Sequence, residues 1–192
     1  MEISVISESQ EFQTLLDGAG IAFSPPPGFA PCPVRENSVF HYQYAARSPS
    51  GDLEVRYRVD SFIRLEAERK AANAGMEILA SVRLDQMYSA NFMAILFNLS
   101  GGAFAEPSVL KPETSAFLFN ADWSALGFMR LASNDFSPDY DSAYVSALHK
   151  DGVADFYVIG LYNDISGQTE RFDKNNLPQV VMRYLAPTVR FT

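Results

Sequence analysis

Thiol and imidazole side chains are few: one cysteine, Cys32, and two histidines, His41 and His149, in 192 residues. Nucleophilic catalysis needs a nucleophile, a base beside it and a group that orients the base, all brought together by the fold. Cys32 with His41 or His149 is the one thiol–imidazole pairing open to this chain. Cys32 sits between Pro31 and Pro33, however, and a small residue filling a proline-rich loop is the plainer reading than an activated thiol. His149 stands next to a strand end and a turn, a position that suits a boundary residue better than a ligand. Asp135, Asp139, Asp141, Asp151 and Asp155 crowd one region, but an EF-hand would alternate oxygen ligands over twelve residues with a central Gly and a terminal Glu. A solvated acidic loop is the simpler expectation. No Gly-rich phosphate loop follows a strand, one Cys cannot build a zinc site, and no Gly-x-Ser-x-Gly elbow occurs. From these residues we expect no catalytic group, no metal and no cofactor.

Binding is the remaining chemistry. Asn120-Ala121-Asp122-Trp123 holds the sole Trp, and Trp123 beside Asp122 could form a binding lip. The plainer alternative is that Trp123 starts a strand and caps the core while Asp122 accepts backbone N–H bonds in the turn. Pro25 to Pro33 holds five of the eleven prolines, which predicts polyproline II geometry jointed at Gly28. Such a segment could present Phe29 to a partner at low entropic cost, or simply cover a sheet edge with Phe29 tucked into the core. Tyr140, in the acidic loop, completes the candidate binding residues Phe29, Trp123, Asp122 and Tyr140.

Charge narrows the partners. The formal net charge of −8 argues against nucleic acid, which needs clustered Lys and Arg to displace counterions, and equally against an anionic membrane surface. Met1-Glu-Ile-Ser-Val lacks a basic segment followed by an apolar one, and a lone Cys fits a reducing compartment, so the expected location is cytoplasmic. The most apolar run, Phe92 to Leu99, is too short to span a bilayer. A chain of this length suits one domain that buries roughly 70% of its unfolded surface.

The elements that must position these residues follow from period and punctuation. Tyr144 to Tyr162 reads as two strands joined at Asp151-Gly152, a type I′ turn signal, pairing Ala147 with Phe156 and Val145 with Val158. Both faces are apolar, so the hairpin belongs inside a sheet covered on both sides. Val39 to Arg47 and Leu53 to Val59 form a second hairpin, with Glu54, Arg56 and Arg58 on a partly solvated face. A short helix is expected over Glu8 to Leu16, an extended piece at Ile21 to Phe23, and a long helix over Asn73 to Leu99, stopped by Gly101-Gly102 and most buried in its second half. Pro112 to Phe119 reads as a helix with Pro at its first position, Trp123 to Leu131 as a strand, and Asn176 to Leu185 as a terminal helix ended by Pro187.

In this order, Ile21-Ala-Phe23 and Pro27-Gly28-Phe29 ahead of a hairpin, then a long helix, then Asn120-Ala-Asp-Trp123 before the last strands, the chain resembles the PsbP-like α/β/α sandwich superfamily. That superfamily includes a photosystem extrinsic subunit, a small-GTPase-binding import factor and secretion-effector chaperones. The resemblance implies an α+β fold, an antiparallel sheet built from hairpins with helices on both faces, and an adaptor, chaperone or accessory role without catalytic residues. The expected function is therefore a non-enzymatic protein-interaction module with an unspecified protein partner, no nucleic acid and no membrane insertion. The alternative is a small-molecule or lipid-binding protein with a cavity between the long helix and the sheet.

Overall fold

A computed structural model describes residues 2–72, 84–104, 106–132, 136–163 and 181–192. The elements in order are α1 (Glu2–Gly18), β1 (Ile21–Phe23), β2 (Ala30–Cys32), β3 (Tyr44–Arg47), β4 (Leu53–Ser61), α2 (Phe62–Ala72), α3 (Tyr88–Ser100), β5 (Ser108–Val109), α4 (Pro112–Phe119), β6 (Trp123–Arg130), β7 (Ser142–Lys150), β8 (Ala154–Tyr162) and β9 (Val189–Phe191). Seven strands form an antiparallel sheet in the order β2-β3-β4-β8-β7-β6-β5, and β1 pairs with β9 in a separate ribbon. The sheet is covered on both faces. Phe12 and Leu16 of α1, Phe119 of α4 and the β1–β9 ribbon pack on one face, while Phe92, Leu96 and Leu99 of α3 pack on the other. This is the α+β arrangement with helices on both faces, and no helix among the described residues is long and apolar enough to cross a membrane.

The central hairpin differs from expectation by one residue. Lys150 pairs with Ala154, Ala147 with Tyr157 and Val145 with Ile159, so three residues rather than two make the loop. Asn120 is the only described non-glycine with positive φ, so Asp151 cannot supply the first half of a type I′ turn; Gly152 alone takes φ 69°. A one-residue slip sends the partner strand's side chains to the other face. Tyr144 and Leu148 therefore share their face with Phe156 and Val158, not with Tyr157 and Ile159. The register has a steric cause: Tyr144 sits opposite Gly160, and a Cβ at Gly160 would lie 2.0 Å from the tyrosine ring.

Other expectations shift as well. The first strand of the second hairpin is Tyr44–Arg47 rather than Val39 to Arg47, because the Gln43 side chain takes over pairing. Its amide donates to the Val59 carbonyl (3.1 Å) and accepts from the Val59 N–H (2.9 Å). The first helix runs further, from Glu2 to Gly18. The long helix is α3, Tyr88–Ser100, preceded by a 3-10 turn at Leu84–Gln86; residues 73–83 of the expected helix lie outside the described residues, as do residues 176–180 of the terminal one. Val181–Leu185 is a single π turn, and it is followed by β9, which was not expected. In the proline segment, Phe29 N–H donates to Pro26 C=O (3.0 Å) around Gly28 at φ 84°, the geometry of a type II turn with Pro27 and Gly28 at its centre. Ala30–Cys32 then joins the sheet as edge strand β2 instead of staying in polyproline II, and Pro31 is tolerable there because an edge need not donate on both sides.

Candidate functional site

The buried charged side chains of the sheet lie on its α3-side face. Along β4, Glu54, Arg56, Arg58 and Asp60 alternate toward that face, and the pairing places Asp60 opposite Asp155 and Arg58 opposite Tyr157. The expected solvated face is thus covered, because β4 lies third in the sheet, between β3 and β8. Glu54 and Arg56 are 2% and 1% exposed. Arg56 Nε donates to Glu54 Oε1 (2.8 Å) and its Nη1 to the Phe136 carbonyl. The Arg56 guanidinium lies between the Tyr42 ring (4.7 Å) and the Phe136 ring (4.5 Å), and Arg47 pairs with Glu54 from the rim. A cation so buried requires both its carboxylate and its remaining hydrogen bonds.

At the other end of the same face, His149 is buried between carboxylates. Nδ1 meets Asp155 Oδ1 at 2.7 Å and Nε2 meets Asp151 Oδ1 at 2.9 Å. Tyr88 stacks on the ring at 4.0 Å, and Phe62 leans on it from α2. Burial alone would lower the imidazole from its ordinary range, but the hydrogen bonds and charges of Asp155 and Asp151 outweigh it and raise it. Carboxylates at both ring nitrogens favour the doubly protonated ring, in which each nitrogen donates. Burial pushes Asp155 up, with partial relief from His149 and from the Tyr157 hydroxyl, which donates to Oδ2 at 3.1 Å. Cys32 is far from activated: burial, then Glu54, pushes its thiol up to about 11.

Between these two polar centres, α3 stands off the sheet and leaves a cleft of about 240 Å³. Asn91, Ala94, Ile95 and Asn98 line it from α3 at helical spacing, with Phe40, Arg58, Asp60 and Tyr157 beneath. Arg58 Nε donates to Asp60 Oδ1 (2.8 Å) and its guanidinium rides over the Phe40 ring at 5.2 Å. The outward side of α3 is equally distinct. The helix has no charged residue, and Met93 and Phe97, one turn apart, are 39% and 59% exposed. Phe92, Ile95, Leu96 and Leu99 pack toward the sheet while Met93 and Phe97 face outward; most of the other half of the expected helix, residues 73–83, with which this half was compared, lies outside the described residues.

The expected binding residues are not gathered at one place. Asp122 and Trp123 share the His149 end of the sheet. Asp122 Oδ2 accepts the Asp151 N–H (2.9 Å), and its own N–H donates to His149 C=O (2.8 Å), so it pins the β7–β8 turn. Trp123 is half-buried against Tyr88 and Phe92. Tyr140 lies beyond the opposite end of β7, its hydroxyl 3.4 Å from Gly51 C=O. Phe29 is half-buried against the other core, under the α1 face. Of the acidic cluster, Asp135 lies outside the described residues and the others are dispersed: Asp139 pairs with Arg35, Asp141 with Arg130, and Asp151 and Asp155 with His149. As binding residues Arg58, Asp60, Asn91 and Asn98 were missed; the asparagines have a signal in the Asn-x-x-Ala-Ile-x-x-Asn stripe on α3, and Arg58 one only in the alternation of β4.

The chain is similar in fold to the solution structure of cyanobacterial PsbP (CyanoP) from Synechocystis sp. PCC 6803, with a TM-score of 0.47 and 11% identity over 91% of this chain and 88% of that one. No protein-family model matches the chain, and no curated protein matches it in sequence. The likeness is one of fold alone.

Proposed function

We propose that the chain is a non-enzymatic protein-interaction module, an adaptor, chaperone or accessory subunit, whose partner docks on the outer side of α3. The observation that carries this reading is an uncharged 13-residue helix presenting Met93 and Phe97 to solvent on a protein of net charge −8. Interface cores are depleted in charge and enriched in Met and aromatic residues. The commitment of both His149 nitrogens and the high Cys32 thiol support a role without catalysis. A photo-crosslinking residue placed at Phe97 in the cell, with adducts identified by mass spectrometry, tests it. A discrete adduct that disappears in Met93→Glu, while the melting temperature holds, is expected; absence of any adduct, or one indifferent to Met93→Glu, would overturn the proposal.

A further inference from the structure

We infer that the cleft between α3 and β4 is a binding site for a small zwitterion of the α-amino acid class. This goes beyond the docking role and does not depend on it. Arg58 is immobilised from two sides, by Nε on Asp60 Oδ1 and by the Phe40 ring under its plane. Among the described residues its terminal nitrogens make no hydrogen bond, so the fork that suits a carboxylate is held ready and empty-handed. Asp60 is buried beside Arg58, and its Oδ2 has no hydrogen-bond partner among the described residues. A carboxylate alone would meet the fork but also face the Asp60 charge, whereas a ligand with an adjacent ammonium can satisfy both. The Asn91 and Asn98 side-chain amides likewise make no hydrogen bond among the described residues, and they stand two turns apart on either side of Ala94, whose small side chain keeps the cleft open. Phe40 and Ile95 supply apolar walls. The volume, about 240 Å³, falls below the roughly 300–1,000 Å³ typical of drug-sized ligands and excludes a long acyl chain.

The test is isothermal titration of the full chain with each of the twenty amino acids, and with propionate and ethylamine as single-charge controls. At least one amino acid should give a saturable isotherm in the millimolar range or tighter, with no comparable signal from either control. Ala94→Phe, which fills the cleft from an exposed helical position and leaves Arg58 and Asp60 in place, should weaken that binding at least about tenfold without lowering the melting temperature. Asp60→Asn, or Arg58→Gln if that variant unfolds, should abolish it. Silence from every amino acid, equal binding of propionate or ethylamine, or full affinity in a folded Ala94→Phe protein would each overturn the inference.

Discussion

Arg56 and His149 show how single buried charges shape the α3 side of the sheet. Arg56 is held by Glu54, by the Phe136 carbonyl and by two aromatic faces. Arg56→Met should therefore cost about 3–5 kcal/mol in chemical denaturation, because Glu54 would stay buried with only the rim cation Arg47, and adding Glu54→Leu should restore much of the loss. Additive losses would show that the pair is not coupled. For His149, the raised native value means that folding binds a proton more tightly than the unfolded chain does. Its contribution to stability is present in full below the ordinary imidazole range, near 6.5, and fades as pH rises through the raised native value. The gap in stability between wild type and His149→Asn should narrow from pH 6 to alkaline pH when melting is followed across that range. A gap independent of pH would mean that the ring is neutral in the fold. Asp122 acts through the same turn, since it holds the Asp151 N–H while Asp151 faces the imidazole.

At the scale of elements, the β7–β8 hairpin is decided by two glycines with different jobs. Gly152 needs its freedom in the turn, at φ 69°, and Gly152→Val should cost more than about 1 kcal/mol in strain, measurable as a lower melting temperature. Gly160 needs its emptiness, because the Tyr144 ring fills the space a Cβ would occupy. α3 divides likewise: Leu96→Ala should cost about 2–5 kcal/mol as a core truncation, while Phe97→Ser on the outer side should stay within about 0.5 kcal/mol, and comparable costs would place the two faces wrongly. These elements also mark what the chain reveals by itself. Local punctuation was legible: Pro112 opens α4, Gly101 takes the left-handed cap of α3, and Ile21 to Phe23 is extended. Long-range competition was not. Asp-Gly reads locally as a two-residue turn, but the Tyr144–Gly160 fit across the ladder fixes the register, and the Gln43 side chain takes the place of a strand backbone opposite Val59. Of the candidate site, Asn91 and Asn98 lie on a helix whose apolar spacing was legible, whereas Arg58 reads with Glu54 and Arg56 as part of a partly solvated face, because alternation alone does not say that β4 is an inner strand.

The whole molecule is closed by a contact that no local pattern announces. β9, at the end of the chain, pairs with β1 so that Phe191 lies opposite Ile21 and Val189 opposite Phe23. The Thr192 N–H donates to Gly20 C=O (2.8 Å), the Asn120 side chain donates to Phe191 C=O (3.2 Å), and Arg190 reaches the Phe117 and Leu118 carbonyls at the end of α4. The ribbon therefore ties α1, α4 and the last residues into one layer over the sheet, with Val189 and Phe191 buried in it. Two ends of a long chain must be brought together before this layer exists, a cost in loop-closure entropy that only the burial of large side chains can offset. Phe191→Ala should cost about 3–5 kcal/mol, the range for a buried phenylalanine. Because the same layer covers one sheet face, hydrogen exchange should accelerate at Phe12 and Leu16 of α1 as well as at β1. Phe29→Ala, on a half-buried ring at the margin of that layer, should cost less than Phe191→Ala. Protection lost only at β1 and β9 in Phe191→Ala would show the ribbon to be an appendage rather than the closure of the α1 layer.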